Sequence, residues 1–218
     1  MTVLSGGARF GALGLVVFAL ATAPSVPTVV DVNGDGVLTV ACLGDSNTQD
    51  GWPTTDTVRW CTRAARERSE WRWRNVGLGG ATLCDTLPDN EKWTQLWTAR
   101  GQLAQVPEAD VVVLAFGTND IKGWGLQATQ LVDCAFALRT AAWPRPVYLA
   151  LVPPMVGPFA KFEPKVRLVN ALFGQSFPAS NLVDFFTGFG RDLLEKDGEH
   201  LNDAGQALRT RRVLDVLR

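Results

Sequence analysis

The sequence predicts an α/β domain built on a parallel sheet of five strands. Short apolar runs of strand length alternate with longer segments of helical spacing, the pattern of strands joined by crossover helices. One run, Val111 to Phe116 (VVVLAF), is apolar without interruption, as expected of a strand covered on both faces. Several runs stop at glycine followed by polar residues, the composition of turns at the carboxyl edge of such a sheet, where ligands bind. A chain of 218 residues is long enough for one domain of this kind with a sizeable core.

In chain order, Met1 to Arg9 carries a single positive charge and Phe10 to Ala23 is almost wholly apolar, ending in the small-x-small triplet Ala21-Thr22-Ala23. These are the cues of a secretory signal. The apolar stretch falls short of the ~20 residues a spanning helix needs, so no stable membrane span is expected. Residues 1–23 are therefore expected to direct export to the periplasm or exterior, with an uncleaved N-terminal anchor as the alternative. Residues 24–36 form a linker and turn, and residues 37–218 the folded domain. Within the turn, DVNGDG (Asp31 to Gly36) matches the first half of an EF-hand loop, but Cys42 stands at the twelfth position where a bidentate glutamate is required. A turn rich in Asx and Gly, feeding the next strand, is the better reading.

The first strand, Leu38 to Leu43, stops at Gly44, and Asp45, Ser46 and Asn47 follow. Thr54 to Arg68 is expected to be a helix, with Thr54, Thr55 and Asp56 available to cap it and basic residues toward its end. Trp71 to Val76 alternates apolar and polar residues as a half-buried strand does. It runs into Asn75 to Thr82 (NVGLGGAT), where Gly77 and Gly79 begin a GxGxxG pattern that fails at Thr82. Glycines at a strand end instead let backbone N–H groups approach a ligand. Asp85 to Leu103 predicts a helix whose Trp93, Leu96 and Trp97 stripe packs on the sheet, with a stacking platform for sugars as the alternative. After VVVLAF comes a second polar cluster, Gly117-Thr118-Asn119-Asp120. A helix over Gly125 to Trp143, a strand over Val147 to Val152, a helix over Pro164 to Phe173, a weaker strand over Leu182 to Phe186 and a helix over Asn202 to Arg218 complete the order.

Basic and acidic side chains number 21 and 22, a net charge of −1, so no field favours nucleic acid. Cys42, Cys61, Cys84 and Cys134 lack CxxC spacing and a histidine cluster, which argues against zinc, and neither a metal nor another cofactor is expected. Cys61 with Cys84 is the disulfide we anticipate in an exported chain, with Cys42 a small core residue.

A serine just past a buried strand is placed as a nucleophile, but its hydroxyl needs an activating base. His200 is the only histidine, and it lies in KDGEHLNDAG between the last strand and the last helix. Asp197 precedes it by three residues, a spacing at which both side chains face one way, so the carboxylate can fix the imidazole tautomer. Asp45 and Asp120, each behind a turn glycine, are expected to hold their loops by accepting backbone N–H bonds.

Four blocks now stand in order: GDSN at Gly44 to Asn47, GGAT at Gly79 to Thr82, GTND at Gly117 to Asp120, and Asp197 with His200. In these blocks the chain resembles the SGNH (GDSL-type) hydrolases, from Val37 to about Gly205. The resemblance implies a three-layer α/β/α, flavodoxin-like fold and a serine esterase mechanism, with Ser46 as nucleophile, His200 as general base and Asp197 as its orienting carboxylate. It implies an oxyanion hole made of the Ser46 N–H, the Gly80 N–H and the Asn119 side-chain amide, with Gly79 the alternative to Gly80. Asn47 departs from the leucine or isoleucine that many relatives carry. The implied substrate is a small-molecule, glycan or lipid ester; acyl transfer by the same triad and a non-catalytic glycan-binding module are the competing readings. Acyl group, alcohol and oligomeric state stay open.

Overall fold

The first strand is β1 (Thr39–Gly44), every residue of which is buried. It pairs in parallel with β2 (Arg72–Asn75) on one side and β3 (Val111–Ala115) on the other, and β4 (Val147–Ala150) and β5 (Leu182–Val183) continue the sheet beyond β3. The order β2-β1-β3-β4-β5, all parallel, is the five-stranded sheet expected. The computed structural model describes residues 29–51, 58–85 and 97–218. The signal-like residues 1–23, the cap candidates Thr54, Thr55 and Asp56, and Trp93 and Leu96 lie outside these.

The strands are shorter than their apolar runs, for local reasons. Pro153 and Pro154 lack the N–H a ladder needs, so β4 cannot extend through them. In β5, the Asp184 carboxylate accepts the N–H groups of Phe186 and Thr187 at 2.9 and 2.7 Å, an Asx turn that draws the backbone out of the sheet. β2 is an edge strand, and its exposed arginines alternate with half-buried Trp73 and Asn75.

Alternate residues of each strand face opposite layers. Ala41, Leu43, Val112, Leu114, Val147 and Leu149 pack with Ala99 and Leu103 of α2 (Ala99–Ala104), Leu131, Ala135 and Leu138 of α4 (Ala128–Ala142), and Val166, Val169 and Phe173 of α5 (Glu163–Ser176). Val40, Cys42, Val111, Val113, Tyr148 and Ala150 face the other way, onto Trp60 and Cys61 of α1 (Trp60–Glu67) and Val213 of α6 (Asp203–Val216). Helices thus cover both faces of the sheet, three layers in all. A short helix, α3 (Thr118–Lys122), stands where the GTND turn was expected. Among the described residues, no helix is long and apolar enough to cross a membrane.

The cysteines pair differently from expectation. Cys42 joins Cys61 and Cys84 joins Cys134, so there is no Cys61–Cys84 bridge and Cys42 is not a free core residue. Cys42 and Cys61 face each other between β1 and α1, whereas Cys84 meets α4 on the opposite side of the sheet. The sheet itself separates Cys61 from Cys84.

The DVNGDG segment is a turn whose side chains bind its own backbone. Asp31 accepts the N–H groups of Gly34 and Gly36 at 2.6 and 2.8 Å, and Asp35 accepts that of Val37 at 2.9 Å. Buried Asp110 then joins this turn to the sheet by accepting the N–H groups of Val32, Asn33 and Thr39 at 2.7 to 2.9 Å.

Candidate active site

Gly44 ends β1, and a Cβ there would overlap the Thr48 side chain, so only glycine fits. Buried Gln102 of α2 pins this residue, its amide nitrogen donating to Gly44 O at 3.0 Å and its oxygen accepting Gly44 N–H at 2.9 Å. The chain then coils tightly, with Thr48 N and Gln49 N both donating to Asp45 O at 2.9 and 3.0 Å. This coil presents Ser46 at the carboxyl edge of the sheet.

His200 arrives at the same edge from the segment between β5 and α6. Ser46 Oγ lies 2.8 Å from His200 Nε2, and His200 Nδ1 lies 2.6 Å from Asp197 Oδ2. The other Asp197 oxygen accepts the N–H groups of Glu199 and His200 at 2.9 and 3.0 Å. Burial alone would push the Asp197 carboxyl up, but these N–H bonds and the imidazole outweigh it and hold the group below the usual carboxylate range. An ionised Asp197 only accepts, so Nδ1 carries the proton and Nε2 offers its lone pair to the Ser46 hydroxyl. Gly198, at φ +81°, makes the turn between Asp197 and His200, and its carbonyl accepts Val156 N–H at 3.0 Å.

The turn after β2 supplies backbone donors. Gly79 N–H is taken by Gln49 Oε1 at 2.5 Å. Gly80, at φ +81°, has no intramolecular acceptor for its N–H among the described residues, nor has the Ser46 N–H. A Cβ on Gly80 would come within 2.5 Å of the Trp97 ring. Gly80 rather than Gly79 therefore keeps a free donor. Asn119 in α3 donates one amide hydrogen to Ala81 O at 3.0 Å, which orients the amide and leaves the second hydrogen. Ser46, Gly80, Asn119 and His200 line one cleft of about 480 Å³, with Gly79, Trp97 and the Lys122–Glu199 pair also in its wall. Asp197 stands behind His200, outside that lining.

Asp45 and Asp120 do hold loops. Asp45 accepts Asn47 N–H at 2.9 Å, and Asp120 accepts those of Leu83 and Cys84 at 2.9 and 3.0 Å. Burial raises both carboxyls, that of Asp120 to about 6 against the pull of its N–H donors. Behind Asp45 lies the fully buried Arg209, whose guanidinium sits 4.5 Å from the Phe185 ring and which burial lowers to about 9 while Asp45 opposes the shift.

Several site residues escape sequence reasoning. Lys122 Nζ donates to both carboxylate oxygens of Glu199, at 2.5 and 2.7 Å, across 77 residues of chain. Only the adjacency of Glu199 to His200 could have flagged that pair. Trp97, expected to pack on the sheet, instead lines the cleft beside Gly80.

The GDSL-like lipase/acylhydrolase family model matches residues 42–208. A comparison with curated protein sequences returns no match. Among solved structures, a member of the lipolytic protein G-D-S-L family from Veillonella parvula is similar, at 20% identity and TM-score 0.64, over 83% of this chain and 98% of that one. A carbohydrate esterase family 3 protein from Talaromyces cellulolyticus is 19% identical, with TM-score 0.58, over 81% and 94% of the two chains. A carbohydrate acetylesterase family member from Sinorhizobium meliloti is 19% identical, with TM-score 0.60, over 83% and 99%. At such identities the likeness speaks for the fold, a parallel α/β sheet with helices on both faces. With the family model spanning most of the chain, the protein belongs to the GDSL-like lipase/acylhydrolase family and is an esterase.

Proposed function

We propose that this esterase works through an acyl-serine intermediate, with Ser46 as nucleophile, His200 as general base and then acid, and Asp197 as the carboxylate that orients the imidazole. The continuous chain from Ser46 Oγ to His200 Nε2 at 2.8 Å and from Nδ1 to Asp197 at 2.6 Å carries this reading. As Oγ attacks the ester carbonyl, its proton passes to Nε2 and negative charge moves to the carbonyl oxygen. The N–H groups of Ser46 and Gly80 and the Asn119 amide are the donors proposed to receive that charge, with losses of ~3–4 kcal/mol of barrier stabilisation per donor removed. Collapse of the tetrahedral species expels the alcohol, which takes the proton from His200. Water activated by the same nitrogen then releases the acid and frees Ser46.

The proposed substrates are esters with short acyl groups, acetyl foremost, on a carbohydrate, lipid or small alcohol. The modest cleft and its polar wall of Lys122 and Glu199 support this, as do the carbohydrate esterases among the similar structures. We also propose that the protein is exported, since two disulfides fit an oxidising compartment.

Turnover of an activated acetate ester by wild type, Ser46→Ala and His200→Ala tests the mechanism. Each variant, folded by circular dichroism, should lose kcat on the order of 10⁶-fold, and a fluorophosphonate should label wild type at Ser46 only. Turnover at the wild-type rate in either variant overturns it. A panel of sugar acetates and longer acyl esters ranks the substrates.

A further inference from the structure

Asn47, next to Ser46 and 1% exposed, has every polar group engaged. Its N–H donates to Asp45 Oδ1 at 2.9 Å and its carbonyl accepts from Gln206 Nε2 of α6 at 3.2 Å. Its side chain reaches across the site instead. Oδ1 accepts Leu201 N–H at 3.0 Å, and Nδ2 donates to Glu199 O at 3.4 Å. The residue after the nucleophile thus grips the backbone immediately before and immediately after His200.

The proximity of Asp197 and His200 has a different origin. They share one turn, three residues apart, so their contact survives wherever that turn sits. Ser46 and His200 are 154 positions apart, and the distance between them depends on how the turn is held against the end of β1. Arg59 and Lys122 also hold this segment, through Leu201 O and the Glu199 side chain, but both come from other elements. Among the described residues, Asn47 is the only member of the coil from Asp45 to Gln49, Ser46 apart, that bonds to residues 197–201.

We propose that Asn47 is a positioning residue that sets the reach of His200 Nε2 to Ser46 Oγ. This rests on the reading of Ser46 and His200 as nucleophile and base. Leucine at this position fills nearly the same volume but leaves Leu201 N–H and Glu199 C=O without partners. The turn then keeps its internal geometry and loses its register against Ser46.

Asn47→Leu, with Asn47→Ala as the smaller second variant, tests this in the full chain. Displacement of a reacting group by about 1 Å costs on the order of 100-fold, so kcat on an activated acetate ester should fall ~10- to 100-fold while KM stays within threefold. His200 is the only histidine, so its Nδ1–H proton resonance is unambiguous. That resonance, reporting the bond to Asp197, should persist in both variants at the wild-type position. A kcat within twofold of wild type in either folded variant, with Ser46→Ala inactive, overturns the proposal. Loss of the Nδ1–H resonance together with kcat also overturns it, because Asn47 would then maintain the turn rather than its register. Retained turnover in Ser46→Ala would instead overturn the underlying assignment of the nucleophile.

Discussion

The two disulfides close loops of different length and touch the site differently, so removing them one at a time separates stability from catalysis. Cys42–Cys61 spans 19 positions and Cys84–Cys134 spans 50. The chain-entropy relation gives ~3 kcal/mol for the first and ~4 kcal/mol for the second. At 2–4 °C per kcal/mol for a chain of this size, these become falls in Tm of ~6–12 °C and ~8–16 °C. Cys42–Cys61 ties β1 to α1 within regular elements, and neither cysteine lines the cleft. Cys84–Cys134 ties to α4 the segment that begins at Gly80, whose N–H we propose as an oxyanion donor. Paired Cys→Ala substitutions, followed by thermal unfolding and by turnover at 20 °C, should therefore show both losses of Tm but a fall in kcat, ~3- to 10-fold in view of the sensitivity of rates to small displacements, only without Cys84–Cys134. An unchanged Tm in either paired variant, or a fall in kcat confined to the Cys42–Cys61 variant, refutes the reasoning.

Asp120 makes stability depend on pH in the less usual direction. Its carboxyl is raised to about 6 in the folded protein, so the native state holds this proton more tightly than the unfolded chain does, and stability is lost as pH rises from about 4 through about 6. The shift corresponds to a ceiling of ~3 kcal/mol. Denaturant unfolding of Asp120→Asn should lack this decline, although the variant loses an acceptor for one of the Leu83 and Cys84 N–H groups; parallel profiles for the two proteins would refute the assignment. Asn119→Ala removes a proposed oxyanion donor and should lower kcat ~10²- to 10³-fold with little change in KM, and a loss under fivefold in steady-state turnover would show that the amide serves only Ala81.

What the sequence disclosed depended on how locally each feature was encoded. β1, β3 and β4 were legible because burial on both faces demands unbroken apolar runs, and Gly44, Gly117 and Pro153 mark their ends, whereas the edge strand β2 showed itself by alternation. The meeting of Ser46, Asn119 and His200 was legible because a parallel sheet gathers the carboxyl ends of its strands on one edge. α3 was hidden because five residues are too few to show a helical period. The disulfides were misassigned because chain spacing says nothing about which side of the sheet a cysteine faces. Cys42 points toward α1 by strand alternation, while Cys84 lies on the far side with α4. Lys122 and Glu199, like Asn47 and Leu201, meet only in three dimensions, and no periodicity joins residues so far apart in the chain.

The separation of Ser46 from His200 also bears on the order in which the chain is made. Domains emerge and fold N-terminal end first during synthesis. Ser46, Gly80 and Asn119 leave the ribosome well before the turn that brings Asp197 and His200, and β5 and α6, which flank that turn, are among the last elements made. If Ser46 and His200 act as proposed, a chain terminated before Asp197 carries a nucleophile with no base beside it. On the proposed mechanism, hydrolytic competence arrives only with residues 197–200, in about the last tenth of the 218-residue chain.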